Sequence, residues 1–242
     1  ACSLASAAPR VAGERIVGDD GTPLVLRGAN WGWWRCVEAQ DAGLMAKAGA
    51  NLVRIAFFWS GIVDPEYPER PGGEGLAYLD EMVRWAQEAG LWFVLDCHEP
   101  PGGCNSAAWC AEGHNGLWSE EQSQQRYLAM WRTLAERYKG NDHLLAHELM
   151  NEPAPPEGVT LAQYKALCLQ AIDALRVVDP ERMIVVSGLG WSSPGQMVDE
   201  LLMERENLVY TFHFYSPGSI THYEGGELRY PGPVPTDVKW LS

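Results

Sequence analysis

Short, nearly unbroken apolar runs alternate with longer amphipathic ones along most of the chain. Arg15-Ile16-Val17 and Pro23-Leu24-Val25-Leu26, separated by Asp19-Asp20-Gly21, predict a small hairpin. The pattern then predicts a helix over about 38–49, a buried strand at 51–57, and a helix over about 76–89 that stops at Gly90. Leu91 to His98 is another nearly continuous apolar strand. Beyond it come a helix near 119–138, a strand at 144–150, a helix near 160–177, a strand at 183–187, a helix near 194–204 and a strand at 208–213. With the run near Leu24–Gly28, this makes about six β units with five helices between them.

Continuous apolar strands separated by helices of this length imply a parallel sheet covered on its outer face. Such a sheet is either doubly wound or rolled into a barrel. The doubly wound form wants a glycine-rich phosphate turn after its first strand, and Gly28-Ala29-Asn30-Trp31 is not one. Polar residues instead recur at strand ends: Asn30, His98, Asn151, Glu152, His213 and Tyr215. Active sites of (β/α) barrels are assembled there, from several strands. The fold class expected is therefore α/β, an incomplete TIM-type (β/α) barrel of about six units behind a short N-terminal hairpin. No low-complexity linker divides the chain, so residues 15–242 read as one domain and residues 1–14 as a flexible tail.

Composition narrows the partners. The 242 residues carry 18 Lys and Arg against 32 Asp and Glu, a net charge of −14. A field of that sign repels phosphate backbones and excludes nucleic acid, but does not hinder a neutral sugar. Tryptophan is abundant, 11 against 5 Phe. Large core side chains explain some of these, and flat platforms for pyranose rings explain others. Trp31, Trp59 and Trp191, each just beyond an apolar run, are the chosen platforms. Trp33, Trp34, Trp109 and Trp118 are weaker ones. Of six cysteines, Cys104 and Cys110 lie in one polar loop and form the disulfide candidate of an exported protein. No pair has metal-finger spacing, and no apolar run is long enough to span a membrane. The small residues Ala1 to Pro9 look like the tail left by a removed signal peptide or lipoprotein signal, which points to a secreted or periplasmic bacterial protein.

From about residue 15 onward the chain resembles glycoside hydrolase family 5, the cellulase-type retaining glycosidases. The resemblance rests on Arg54 on the second strand, His98 ending the third, Asn151-Glu152-Pro153 ending the fourth, and His213 with Tyr215 ending the sixth. It implies hydrolysis of a β-linked oligo- or polysaccharide, most simply an endoglucanase-like reaction, with no metal or organic cofactor. Retention needs one carboxylic acid to protonate the leaving oxygen and a second carboxylate, about 5–5.5 Å away, to attack the anomeric carbon. The resemblance makes Glu152 the acid and has Asn151 bond the sugar 2-hydroxyl. It places His98, His213 and Tyr215 around the reacting ring and has Arg54 steady the nucleophile's charge. His147, inside a strand, matches no position of the family and reads as structural.

The family's nucleophile is a Glu ending the seventh strand. Ser242 falls in what corresponds to the loop after the sixth strand, so the expected nucleophile has no counterpart here. Glu99, Glu112, Glu224 and Glu227 are the nearest carboxylates in sequence, and none stands in that position. Two expectations follow. The open edges of a six-unit barrel invite self-association or a completing fragment. The alternative function is a catalytically impaired carbohydrate-binding remnant, or an enzyme active only as an oligomer.

Overall fold

The computed structural model describes residues 9–31, 37–103, 115–216 and 221. Cys2, Cys36, Cys104, Cys110, Trp33, Trp34, Trp109, Glu112, Glu224 and Glu227 lie outside the described residues, and so does the disulfide expected of Cys104 and Cys110.

Two short strands, β1 (Arg10–Ala12) and β2 (Arg15–Val17), form an antiparallel pair. Six further strands make one parallel sheet in sequential order. They are β3 (Gly28–Trp31), β4 (Leu52–Phe58), β5 (Trp92–Glu99), β6 (Leu144–Glu148), β7 (Met183–Ser187) and β8 (Leu208–Thr211). Helix α1 (Ala39–Lys47) joins β3 to β4, α2 (Trp59–Ile62) and α3 (Gly73–Glu88) join β4 to β5, α4 (Glu121–Tyr138) joins β5 to β6, and α5 (Leu161–Val178) joins β6 to β7. The sheet is the incomplete (β/α) barrel that the apolar pattern predicts, with β3 and β8 at its two edges.

Local chemistry sets the helix bounds. Thr160 and Gln163 form a reciprocal capping box that starts α5, which satisfies backbone N–H groups the first turn leaves unpaired. Gly90 follows α3 at φ 72°, a left-handed stop that only glycine adopts without strain. At the start of β3, a side chain on Gly28 would sit 1.9 Å from the Leu52 carbonyl, so the strand can approach β4 only with glycine there.

The alternation of each strand sorts two cores. The larger lies between sheet and helices and includes Ile55, Phe57, Leu95, Tyr127, Trp131 and Ile184. The smaller includes Val94, Ala146, Met183 and Val185, with Val11 and Ile16 of the β1–β2 pair packed against it.

Three expectations change. Residues 15–17 pair mainly with 10–12, inside the expected tail, and meet the 23–26 run only through a Val17–Pro23 bridge and a Leu24 N–H to Ile16 carbonyl bond. Pro23 has no N–H with which to extend that ladder. The first parallel strand is Gly28–Trp31 rather than the run before it, because Leu26 packs into the smaller core instead. The helix expected over 194–204 is two single 3-10 turns at 194–196 and 199–201, since Pro194 and Gly195 deny an α-helix both a donor and backbone rigidity.

His147 fits its structural role. It is fully buried on β6, its ring 5.4 Å from that of Trp131, and neither nitrogen has a partner. Burial, reinforced by Arg182 and Arg176, pushes its pKa down to about 3. The unfolded chain therefore takes up this proton first. Above the ordinary histidine value the ring is neutral in both states and adds no pH dependence, and stability is lost as pH falls through that value toward about 3. His147→Leu should flatten that acid decline in urea titrations at pH values of about 7 and 5, by on the order of a few kcal/mol at its limit.

Candidate active site

The register places four strand positions on one level: Ala56 beside Asp96, Asp96 beside Glu148, and Glu148 beside Val185. Arg54 stands one inward step below Ala56 on β4 and reaches up to both acids. Its guanidinium holds Glu148 through two 2.7 Å bonds and lies 3.0 Å from Asp96. Burial raises the Glu148 pKa and the Asp96 charge adds to that, while Arg54 opposes both. The same carboxylates hold Arg54 firmly cationic against its own desolvation.

A closed circuit of bonds runs on from this cation. Arg54 donates to the Asn151 amide oxygen at 3.0 Å, and Asn151 Nδ2 approaches His98 Nε2 at 3.4 Å. His98 Nδ1 lies 2.7 Å from Asp96 Oδ2, which returns to Arg54. With Nδ1 protonated, every link has a donor and an acceptor, which fixes the Asn151 amide and the His98 ring face. Asn30, level with Arg54 on β3, accepts from it at 3.5 Å.

Glu152 follows β6 with φ 39°, a left-handed conformation uncommon outside glycine. Strain of that kind persists where surrounding contacts over-determine it, and it concentrates at functional sites. The Glu152 carboxyl is a quarter exposed and meets His213 Nδ1 at 2.6 Å. With Nδ1 protonated, the ring donates to Oε1 and orients the carboxyl. Tyr215 is exposed and stands edge-on to the His213 ring at 6.3 Å.

His98, Asn151, Glu152, His213 and Asn30, singled out by strand-end position, and Arg54, named through the family resemblance, therefore lie together toward the C-terminal edge of the sheet. Asp96 and Glu148 were missed. Their signal was a charged residue inside an otherwise apolar strand, which needs a buried counter-charge. Arg54 supplies it and pairs with both carboxylates.

The tryptophans divide. Trp31 is 4% exposed and donates its ring N–H to the Met45 sulfur at 3.1 Å, and Trp59 is 9% exposed within the main core. Neither offers a free ring face, so both correct the platform assignment: Trp31 ends β3 against Met45 of α1, and Trp59 opens α2 within the core. Trp118 packs half-buried against Tyr164. Trp191 is 47% exposed, on a turn where Gly190, Trp191 and Ser192 all have left-handed φ. Among the described residues no three His, Cys, Asp or Glu side chains group as a metal site, and no helix is long and apolar enough to cross a membrane.

A sequential parallel βα sheet carrying an acid, two histidines and an arginine at its C-terminal edge defines a catalytic-type (β/α) barrel. The chain belongs to the cellulase family, glycosyl hydrolase family 5, which matches residues 17–237. Endoglucanase C of Acetivibrio thermocellus is 28% identical over 186 residues, covering 77% of this chain and 52% of that protein. Probable glucan 1,3-beta-glucosidase A of Aspergillus fumigatus is 34% identical over 159 residues, covering 64% of this chain and 37% of that protein. The crystal structure of endoglucanase Cel5A from Thermotoga maritima superposes with a TM-score of 0.65 at 24% identity, covering 81% of this chain and 62% of that one. The chain thus spans about half the length of the endoglucanase it matches.

Proposed function

We propose that this chain carries the acid-bearing part of a retaining β-glycosidase site for a β-linked glucan, endoglucanase-like in its reaction, with Glu152 as general acid and then general base. One observation carries the reading: Glu152 stands in a left-handed turn at the C-terminal edge of the sheet, oriented by His213. Asn151, held by Arg54 and His98, presents its amide beside the acid, and Trp191 offers an exposed ring for sugar stacking. Relatives named for cleaving glucans support the substrate class.

The attacking carboxylate is the incomplete half. Asp96 is fully buried and Glu148 nearly so, both gripped by Arg54, and neither can reach an anomeric carbon. A second reading is a chain that binds glucan without cleaving it. In the leading reading the second carboxylate comes from polypeptide that completes the barrel between β8 and β3.

The test is hydrolysis of an unactivated cello-oligosaccharide by the full chain, beside titration of binding followed by Trp fluorescence. Turnover that Glu152→Gln removes supports the leading reading. Binding with no turnover favours the second, and turnover unchanged in Glu152→Gln refutes the acid assignment.

The open sheet carries its own expectation. Gly28, Ala29 and Asn30 on edge strand β3 are exposed, and Phe212 and Phe214 just beyond β8 are 55% and 69% exposed. Unpaired edges flanked by apolar rings favour association. Light scattering should give a mass above that of one chain, and a stable monomer would remove this part of the reading.

A further inference from the structure

Two buried tyrosine hydroxyls on helices bond the strand-end backbone behind the Glu152–His213 pair. Tyr127, on α4, is 1% exposed and donates to the Leu149 carbonyl at 2.6 Å. Leu149 also donates its N–H to Val185 at 3.0 Å, and Asn151 donates its N–H to Cys97 at 3.0 Å. The chain entering the left-handed Glu152 is thus fastened to α4, β7 and β5 within three residues.

The second anchor has the same form one βα unit later. Tyr164, on α5, is fully buried and donates to the Ser187 carbonyl at 2.7 Å, at the last residue of β7. From Ser187 the chain runs into the left-handed Gly190–Trp191–Ser192 turn, and the buried Ser192 carbonyl accepts the His213 N–H at 2.8 Å.

We infer that Tyr127 and Tyr164 are positioning residues, whose hydroxyls fix the strand ends that bring the Glu152 carboxyl and the His213 ring into register. The inference rests on the reading of Glu152 as the acid. Its physical basis is that a carbonyl buried without its donor costs more than the net value of the bond it lost. The strained φ values at Glu152, Trp191 and Ser192 relax once an anchor is removed.

The test reads the bond itself and needs no turnover, so it fails separately from the assignment of function. In the full nitrogen-labelled chain, the His213 Nδ1 proton should be a downfield, slowly exchanging NMR signal, assigned by its loss in His213→Gln. Tyr127→Phe and Tyr164→Phe should each move it upfield and speed its exchange with water about tenfold, the scale on which one net hydrogen bond acts. Tyr138→Phe is the control. It removes a hydroxyl bond to Asp80 from the far end of α4, roughly 16 Å along the helix from Tyr127, and should leave the signal in place. Should a variant fail to fold, the unsubstituted chain still decides. The Tyr127 and Tyr164 hydroxyl protons should exchange slowly and lie close to Leu149 and Ser187. A missing His213 signal in the unsubstituted chain, an unchanged one in both folded Phe variants, or rapidly exchanging hydroxyl protons would each overturn the inference.

Discussion

Glu152→Gln should lower kcat on an unactivated cello-oligosaccharide by roughly a hundred- to ten-thousand-fold, the range general acid–base groups contribute. The comparison is made in whichever assembly of the chain turns over substrate. Glutamine keeps the shape of the side chain and an oxygen that accepts from the His213 ring N–H, so fold and binding should persist. What is lost is the acidic proton for the leaving oxygen. KM should stay within a few-fold, since the group acts on the transition state rather than on binding. An equal rise in KM with kcat unchanged would recast Glu152 as a sugar-binding residue.

Arg54→Met should destabilise the fold by about 3–5 kcal/mol, the usual consequence of removing one partner of a buried ion pair. The guanidinium is 15% exposed, and its partners Glu148 and Asp96 are 4% and 0% exposed. Without it, two buried carboxylates face one another. The sign of the pH dependence follows. The folded-state pKa of Glu148 already lies above the ordinary carboxylate value through burial and Asp96, and losing Arg54 raises it further. A carboxyl raised on folding contributes stability below its unfolded value and loses it as pH rises through the folded one. The variant should therefore be least impaired in acid and increasingly so toward neutral pH. Adding Glu148→Gln should restore part of the loss. Urea titrations across pH measure both effects, and a pH-independent loss would show that packing of the arginine stem, not charge, dominates.

Much of this was legible in the chain because strand position and side-chain chemistry coincide. Apolar runs such as Leu91–His98 are long enough to be strands and too continuous to face water, so the parallel sheet follows. The strand-end polar residues His98, Asn151, Glu152 and His213 then point to the same edge, while Arg54, inside its strand, was reached only through the family resemblance. Three features were not legible, and for different reasons. The burial of Trp31 and Trp59 depends on which helix packs over the strand end, a tertiary fact that local sequence does not encode. The broken helix at 194–204 reflects Pro194 and Gly195 outweighing an apolar pattern. The tyrosine anchors link residues 22 and 23 positions apart through a helix and a strand, and a tyrosine in an amphipathic helix reads as ordinary core until its hydroxyl partner is seen.

Asp96 and Glu148 carry a more general lesson about this sheet. A carboxylate within an apolar strand is expensive unless paired, so each such residue implies a cation within reach on the same face of the sheet. Arg54, one inward step lower on β4, supplies it, and the same cation donates to Asn151 beside Glu152. Stability and chemistry thus share one network at the C-terminal edge.

The proposed reaction turns on Glu152 donating the proton to the leaving oxygen. The most direct measurement compares Glu152→Gln with the unsubstituted chain on two substrates, cellotetraose and a dinitrophenyl β-cellobioside, in the same assembly. A dinitrophenolate leaves without protonation, whereas a sugar hydroxyl cannot. The account predicts near-complete loss on cellotetraose and a much smaller effect on the activated substrate in the bond-cleaving step. Equal losses on both substrates, or no loss on either, would contradict it.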